Sequence, residues 1–238
     1  MDWKEYPIAL WQLLFPKFCP VCGEILHRNE ERFCFACNLK IPRTFFHKTL
    51  ENEALKRFYG RVDIERATSF YFYWKEDKYA KLIHLFKYKG DKKLAEILGR
   101  MAAWEIQESG FFDGGDYLGP VPLHRKRLRS RGYNQSEWLC RGISSVTGIA
   151  VHTQLITRNH YTMSQVSQNV HERWENLNEA FQVNESAVAS LPAHAHIMLV
   201  DDVLTTGATL TTCALTLKQA IPELKISIFT LAVAAKYL

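Results

Sequence analysis

The chain has 238 residues, a formal net charge of +5, 47% apolar residues and 23% charged residues. These values are ordinary for a soluble globular protein, and the mild positive charge does not distinguish phosphate ligands from nucleic acid. The best apolar run, residues 8–15, is interrupted by Gln12 and is too short to span a membrane. It also lacks the basic start and cleavage site of a signal peptide. We therefore expect a cytoplasmic protein with no membrane partner.

The N-terminal residues Ile8, Trp11, Leu14 and Phe15 fall roughly on one helical face. This pattern predicts a helix that packs against the body of the protein. Contact with a membrane surface is the alternative, but the segment lacks the basic polar face of an interfacial helix.

Two Cys-x-x-Cys pairs follow, Cys19 with Cys22 and Cys34 with Cys37, separated by eleven residues. Two intervening residues let a turn aim both thiolates at one tetrahedral ion, and four such ligands close a structural zinc site. Two disulfides or four free thiols are the alternative, which a reducing cytosol disfavours. We predict that residues 1–48 form a helix and zinc-binding module and that residues 49–238 form the main domain.

Strand and helix patterns alternate through the rest of the chain. Residues 45–66 have no clear period and are interpreted as a connection. Strands are predicted at residues 67–74, 117–123, 151–156 and 225–234, and helices at residues 78–89, 92–108, 136–145 and 210–220.

The densest charge run follows the predicted strand at 117–123 and contains five cations within seven residues. The usual interpretation of such a run is a solvated loop. The functional interpretation is contact with a polyanion, either pyrophosphate or a nucleic-acid backbone, and Tyr133 is then a candidate for stacking on a base. The candidate contacts are Pro122, Leu123, His124, Arg125, Arg127, Arg129 and Arg131.

A long polar segment at residues 157–169 has no apolar period. Such a segment fits either a mobile lid over a site or a plain surface loop, and both interpretations stay open. Residues 172–181 then carry Trp174 and Phe181, which we expect to anchor the segment on the body.

The residues that organise the chain lie at 197–209. Four apolar residues predict a strand buried on both faces, and Asp201 and Asp202 come where that strand should end. A threonine-rich loop around Gly207 follows, and then a helix, whose first N–H groups and dipole favour an anion. Gly207 tolerates positive φ and lets the backbone approach a phosphate closely. Two ionised carboxylates suit neighbouring ribose hydroxyls, so the pattern predicts a phosphosugar site.

This loop resembles the signature of type I phosphoribosyltransferases for phosphoribosyl pyrophosphate (PRPP). The resemblance implies that Asp201 and Asp202 hold the ribose 2′- and 3′-hydroxyls and that the loop holds the 5′-phosphate. The implied PRPP-binding residues are Asp201, Asp202, Val203, Thr205, Thr206, Gly207, Ala208 and Thr209, with the two aspartates also catalytic.

The chain as a whole resembles the ComF family, a competence-associated phosphoribosyltransferase-like group that includes GntX-type proteins. The matching pieces are the two cysteine pairs, Lys87-Tyr88-Lys89-Gly90, residues 121–124 with 127–135, Thr162 with Gln165, Arg173 with Asn176 and Phe181, and the loop at 200–209. The family implies an α/β fold of the type I phosphoribosyltransferase kind, with a mostly parallel sheet, helices on both faces and a small N-terminal zinc module of four cysteines. Residues 49–238 are then the phosphoribosyltransferase-like domain.

The family is also linked to the uptake of transforming single-stranded DNA, with a partner helicase in some bacteria. The chain does not begin with a catalytic cysteine, so a glutamine-using reaction is not transferred to it. Two function classes follow. The first is an enzyme that transfers the phosphoribosyl group to an unknown acceptor, with Mg²⁺ bridging pyrophosphate and ribose oxygens. The second is a non-enzymatic competence factor that senses PRPP or a nucleotide and binds single-stranded DNA.

Overall fold

The computed structural model describes residues 15–158, 181–192 and 194–237. Most of the predicted N-terminal helix, residues 159–169 of the polar segment, and residues 170–180 with the predicted anchor Trp174 therefore lie outside the described residues. The helices are α1 (Phe35–Leu39), α2 (Glu53–Lys56), α3 (Ala80–Tyr88), α4 (Lys92–Ile106), α5 (Arg125–Arg131), α6 (Gln135–Thr147), α7 (Glu185–Ala189) and α8 (Ala208–Ala220). The strands are β1 (Arg66–Tyr73), β2 (Tyr117–Pro120), β3 (Ala150–Val151), β4 (Ile156–Arg158), β5 (Phe181–Val183), β6 (His196–Leu204) and β7 (Lys225–Ala234).

The main sheet has five strands in the order β1-β7-β6-β2-β3, and every pair in it is parallel. The predicted strand at 151–156 is wrong as one element. The structure divides it into β3, at the sheet edge, and β4, which pairs antiparallel with β5 in a separate ribbon. The polar residues Thr153 and Gln154 are exposed in a turn between the two strands, so the chain leaves the sheet there.

Helices cover both faces of the sheet. On one face the apolar sides of α3, α4 and α6 form a core with residues such as Phe86, Leu98 and Leu139. On the other face α2 and α8 pack against the sheet through residues such as Ala54 and Leu217. Because parallel strands are buried on both faces, this arrangement confirms the predicted α/β class.

Two glycines let α4 and α6 pack closely. A Cβ atom at Gly99 would clash with the backbone carbonyl of Leu139, and one at Gly142 would lie 2.7 Å from the backbone nitrogen of Arg100. The side-chain oxygen of Asn134 accepts a hydrogen bond from the N–H of Ser136 and so caps the start of α6. This close packing fixes the first turn of α6 beside the sheet.

The cysteine segment packs on the same core as α3 and α4. Its buried residues, including Cys37 and Ile41, belong to the apolar cluster of those helices. The hydroxyl of Tyr79 donates to the carbonyl of Cys37 at 3.0 Å, and Arg43 pairs with Glu105 at 2.8 Å. The division of the chain between residues 48 and 49 stays a prediction.

No helix in the described parts of the chain combines the length and the apolar character that crossing a bilayer requires.

Candidate functional site

Strand β6 continues through the acidic pair instead of ending before it. Strand β7 pairs with β6 beyond the apolar residues, so Asp201 lies opposite Thr230 and Val203 lies opposite Ala232. The expectation that the strand ends before the carboxylates is therefore wrong. Both aspartates lie in the last part of β6, near the carboxyl edge of the sheet, where open α/β sheets bind ligands.

Asp201 is held by two hydrogen bonds to one carboxylate oxygen. The hydroxyl of Ser136, in the first turn of α6, donates to Asp201 Oδ1 at 3.1 Å, and the backbone N–H of Asp202 donates to it at 2.8 Å. Burial and the neighbouring charge of Asp202 raise the pKa of Asp201 to about 7, although the Lys87 charge and the hydrogen bonds oppose the rise. Near neutral pH this carboxyl group therefore exchanges between its charged and its protonated form.

Asp202 forms an ion pair with Lys87, in the last turn of α3. Lys87 Nζ lies 2.8 Å from Asp202 Oδ1, and the two side chains are only 18% and 13% exposed. Lys87 belongs to one of the segments that resemble the ComF family, but its contact with the acidic pair is not predicted from the sequence. The contact of Ser136 with Asp201 is not predicted either. The sequence signal that could have pointed to Lys87 is its place in this segment, next to the buried Phe86 in the last turn of a helix.

The threonine-rich loop forms a tight turn between β6 and α8. Gly207 has a φ of +79°, and a Cβ atom there would lie 3.3 Å from the ring of Phe58. This confirms the conformation expected of Gly207. Thr205 and Thr206 are exposed, and Arg61 donates to the carbonyl of Thr206 at 3.1 Å. The loop therefore presents hydroxyl groups and the start of a helix to solvent.

The basic run forms a short helix, α5, so the solvated-loop interpretation is wrong about its backbone conformation. His124 caps it by accepting the N–H of Lys126 at 3.2 Å, and Gly132 ends it with a φ of +75°. Arg125, Arg127 and Arg129 are exposed. The helix therefore lines up several cations on the surface. Pro122, Leu123 and His124 precede it and are partly buried.

Tyr133 is not available to stack on a base. It is only 5% exposed, and its hydroxyl donates to the carbonyl of Phe86. The exposed aromatic beside the basic helix is Tyr88, which is 64% exposed and carries the guanidinium of Arg131 over its ring at 5.1 Å. The candidate stacking residue is therefore corrected from Tyr133 to Tyr88.

The four cysteines converge on one point. Their sulfur atoms all lie within 4.8 Å of one another, and Cys22 Sγ lies 3.6 Å from Cys34 Sγ. Four thiolates at about 2.3 Å from a tetrahedral zinc ion would be separated by about 3.8 Å, so the donor set fits such an ion. The N–H of Cys34 points at Cys19 Sγ and the N–H of Cys37 points at Cys34 Sγ, both at 3.4 Å. This arrangement suits thiolates held by a metal.

No protein-family model matches the chain. It is 34% identical over 131 residues to the DNA utilization protein YhgH of Salmonella typhimurium, which covers 54% of this chain and 56% of that protein. It is 32% identical over 133 residues to Competence protein F of Haemophilus influenzae, which covers 54% of this chain and 57% of that protein. The chain is a homologue of these proteins.

The match spans about half the length of the curated relatives and confirms the resemblance to the ComF family. Among solved structures, the chain is 13% identical to an adenine phosphoribosyltransferase, with a TM-score of 0.38 over 68% of this chain and 78% of that one.

The predicted phosphosugar residues and the segment before the basic helix lie at the same carboxyl edge of the sheet. Val200 in β6 pairs with Pro120 in β2, and the N–H of Val121 donates to the carbonyl of Val200 at 2.9 Å. The segment 121–125 therefore leaves the sheet directly beside Asp201. The structure brings the acidic pair, the threonine loop and the start of the basic helix to one edge, while the four cysteines form a separate cluster.

Proposed function

We propose that the chain binds PRPP at the carboxyl edge of its sheet. The observation that carries this proposal is the succession of two adjacent aspartates, a threonine–glycine turn and the start of a long helix on the central parallel strand. A carboxylate accepts hydroxyl donors, and a helix start with hydroxyl groups nearby accepts a phosphate. These are the groups that ribose 5-phosphate presents.

In this proposal each residue class has one task. Asp201 and Asp202 accept hydrogen bonds from the ribose 2′- and 3′-hydroxyls. Thr205, Thr206 and Thr209, with the N–H groups around Gly207 and Ala208, hold the 5′-phosphate. The proposed phosphosugar contacts are Asp201, Asp202, Val203, Thr205, Thr206, Gly207, Ala208 and Thr209.

If the bound PRPP is turned over, the bond between the sugar C1 and pyrophosphate breaks and leaves positive charge on the ribose. The acidic pair would stabilise that charge, since fixed negative groups near a developing cation lower its free energy. The backbone at residues 122–124, with Arg125 or Arg127, would receive the leaving pyrophosphate. The chain would then act as a phosphoribosyltransferase, which is a pentosyl-transferring glycosyltransferase.

The resemblance also implies Mg²⁺, but the acidic pair does not fit a resident divalent cation. Asp202 already pairs with the ammonium of Lys87 at 2.8 Å. We therefore assign no step of the reaction to a metal ion held by these carboxylates.

The four-cysteine cluster fits a structural Zn²⁺ ion, held by Cys19, Cys22, Cys34 and Cys37. Four protein ligands leave no open position for substrate, so the ion would hold the N-terminal module together and supply no chemistry.

A second candidate function is a non-enzymatic one in DNA uptake. The exposed cations of α5 beside Tyr88 favour it, because cations with an aromatic platform suit single-stranded DNA. One relative is named for DNA utilization and another for competence. In this version the chain works in the cytoplasm, senses PRPP or a nucleotide, binds single-stranded DNA and acts with a competence helicase.

One experiment separates the two functions. Pyrophosphate release from PRPP is measured with a panel of nucleobases and amines as acceptors. Turnover with any acceptor that is lost in Asp201→Asn supports the transferase. Binding of PRPP, measured by calorimetry, with no release across the panel supports the sensing function. No binding of PRPP contradicts the transferase and the sensing of PRPP.

A further inference from the structure

Lys87 lies beside the acidic pair and contacts one of its carboxylate oxygens. Its Nζ is 2.8 Å from Asp202 Oδ1, and both side chains are largely withdrawn from solvent. An ammonium held this closely to a carboxylate neutralises it, and a second cation brought to the same oxygen would meet a like charge at short range. The acidic pair is therefore already compensated by the protein itself.

The fold holds Lys87 in this position. The neighbouring Phe86 is fully buried, and the hydroxyl of Tyr133 donates to its carbonyl, which fixes the last turn of α3. The N–H of Lys89 donates to the carbonyl of Leu85 at 2.9 Å and closes the helix. A cation in the last turn is also favoured by the helix dipole. Lys87 is therefore directed at the acidic pair by the local packing as well as by its charge.

One oxygen of the second carboxylate also accepts hydrogen bonds from protein groups. Asp201 Oδ1 accepts from the hydroxyl of Ser136 and from the N–H of Asp202. A divalent ion such as Mg²⁺ requires several oxygen ligands in a near-octahedral arrangement and gives up its water reluctantly. With one carboxylate paired to an ammonium and the other turned to hydroxyl and N–H donors, the pair suits hydroxyl ligands better than a metal.

We infer that Lys87 replaces a divalent cation at the acidic pair, so that the site recognises a sugar diol without a metal ion. The inference rests on the proposed phosphosugar function for the identity of the ligand. Lys87 is a positioning residue in this scheme, since it acts through Asp202. Any Mg²⁺ needed with PRPP would then be bound by the pyrophosphate group of the ligand and not by the two aspartates.

The first test uses Mn²⁺ alone, detected by the loss of its free electron paramagnetic resonance signal on binding to the full chain. We expect wild type and Asp202→Asn to bind Mn²⁺ equally weakly, because Asp202 offers it no site. We expect Lys87→Met to bind Mn²⁺ at least about tenfold more tightly, since the repelling charge is gone. Lys87→Arg keeps the charge, and Lys89→Met removes an exposed neighbouring charge, so both should behave like wild type.

Two results would overturn the inference. One is a Mn²⁺ site in wild type that Asp202→Asn removes, and this comparison does not depend on whether Lys87→Met folds. The other is a folded Lys87→Met variant that binds Mn²⁺ no better than Lys89→Met does.

The second test uses ribose 5-phosphate, which lacks pyrophosphate. Wild type should bind it equally with Mg²⁺ or with EDTA, and binding that disappears in EDTA would contradict the inference. If ribose 5-phosphate and PRPP both fail to bind under all conditions, the proposed function fails, while the Mn²⁺ comparison still decides the role of Lys87.

Discussion

Replacing Asp201 with asparagine should raise the free energy of unfolding most at pH 8 and clearly less at pH 5. The reason is the environment of the carboxyl group, in which burial and the charge of Asp202 raise its pKa from 3.8 to about 7. Asparagine keeps the oxygen that accepts from Ser136 and from the N–H of Asp202, but it carries no charge.

The sign follows from proton linkage. Between pH 4 and pH 7 the folded state holds a proton on Asp201 that the unfolded chain has lost, so the free energy of unfolding falls as pH rises through this window. A shift from 3.8 to about 7 corresponds to at most about 4 kcal/mol at 1.36 kcal/mol per pH unit. Asp201 is partly exposed, so solvent screening reduces this effect. We therefore expect the free energy of unfolding of Asp201→Asn at pH 8 to exceed that of wild type by about 1–2 kcal/mol.

The assay is thermal unfolding of wild type and Asp201→Asn at pH 5, 6, 7 and 8. A gain of about 1–2 kcal/mol should raise the unfolding temperature by about 2–8 °C in a protein of this size. Asp113→Asn, at an exposed aspartate, is the matched control for the loss of a carboxyl group. The reasoning is refuted if the difference between wild type and Asp201→Asn is the same at pH 5 and at pH 8, or has the opposite sign at pH 8.

Three further predictions concern the separate parts of the structure. Cys34→Ser should lose the bound zinc and unfold the N-terminal module, because structural zinc contributes on the order of 10–16 kcal/mol of folding free energy in small modules. Metal analysis and proteolysis measure this, and a zinc-free wild type would contradict it. Replacing Arg127, Arg129 and Arg131 together by alanine should weaken single-stranded DNA binding and lower its salt dependence by a slope of roughly 0.7 per lost phosphate contact; unchanged binding in a filter assay would leave α5 as a solvated surface. Gly207→Val should weaken PRPP binding, because valine is strained at positive φ and its side chain would meet the ring of Phe58. Unchanged affinity in calorimetry would contradict the assignment of the loop as the phosphate site.

The elements that the sequence predicted well are those in which one local pattern decides the structure. Strand β7 has the bounds that its apolar run predicts, and the turn at Gly207 has the positive φ expected of it. Strand β6 is longer than predicted because pairing with β7 continues beyond the apolar residues. Two adjacent carboxylates predict the end of a buried strand. Here the pairing with β7 extends β6 through both of them.

The basic helix and the surroundings of the acidic pair were harder to predict. Helix α5 has no apolar period, and its start and end are set by His124 and Gly132. The contact between Lys87 and Asp202 joins two elements that are far apart in the chain, so no local pattern reveals it. The sequence therefore predicted which carboxylates form the candidate site, and only the fold shows which cation compensates them.

The central claim is that the acidic pair of β6 binds the ribose of PRPP. Isothermal titration calorimetry with PRPP and Mg²⁺ tests it most directly, on wild type and on Asp201→Asn, which keeps the Lys87–Asp202 ion pair. We predict one PRPP bound per wild-type chain, and a loss of about 1.5–3 kcal/mol in the variant for a charged hydrogen bond, or about 10- to 150-fold in affinity. A wild type that shows no heat of binding, or a folded variant that binds PRPP as tightly as wild type, would contradict the claim.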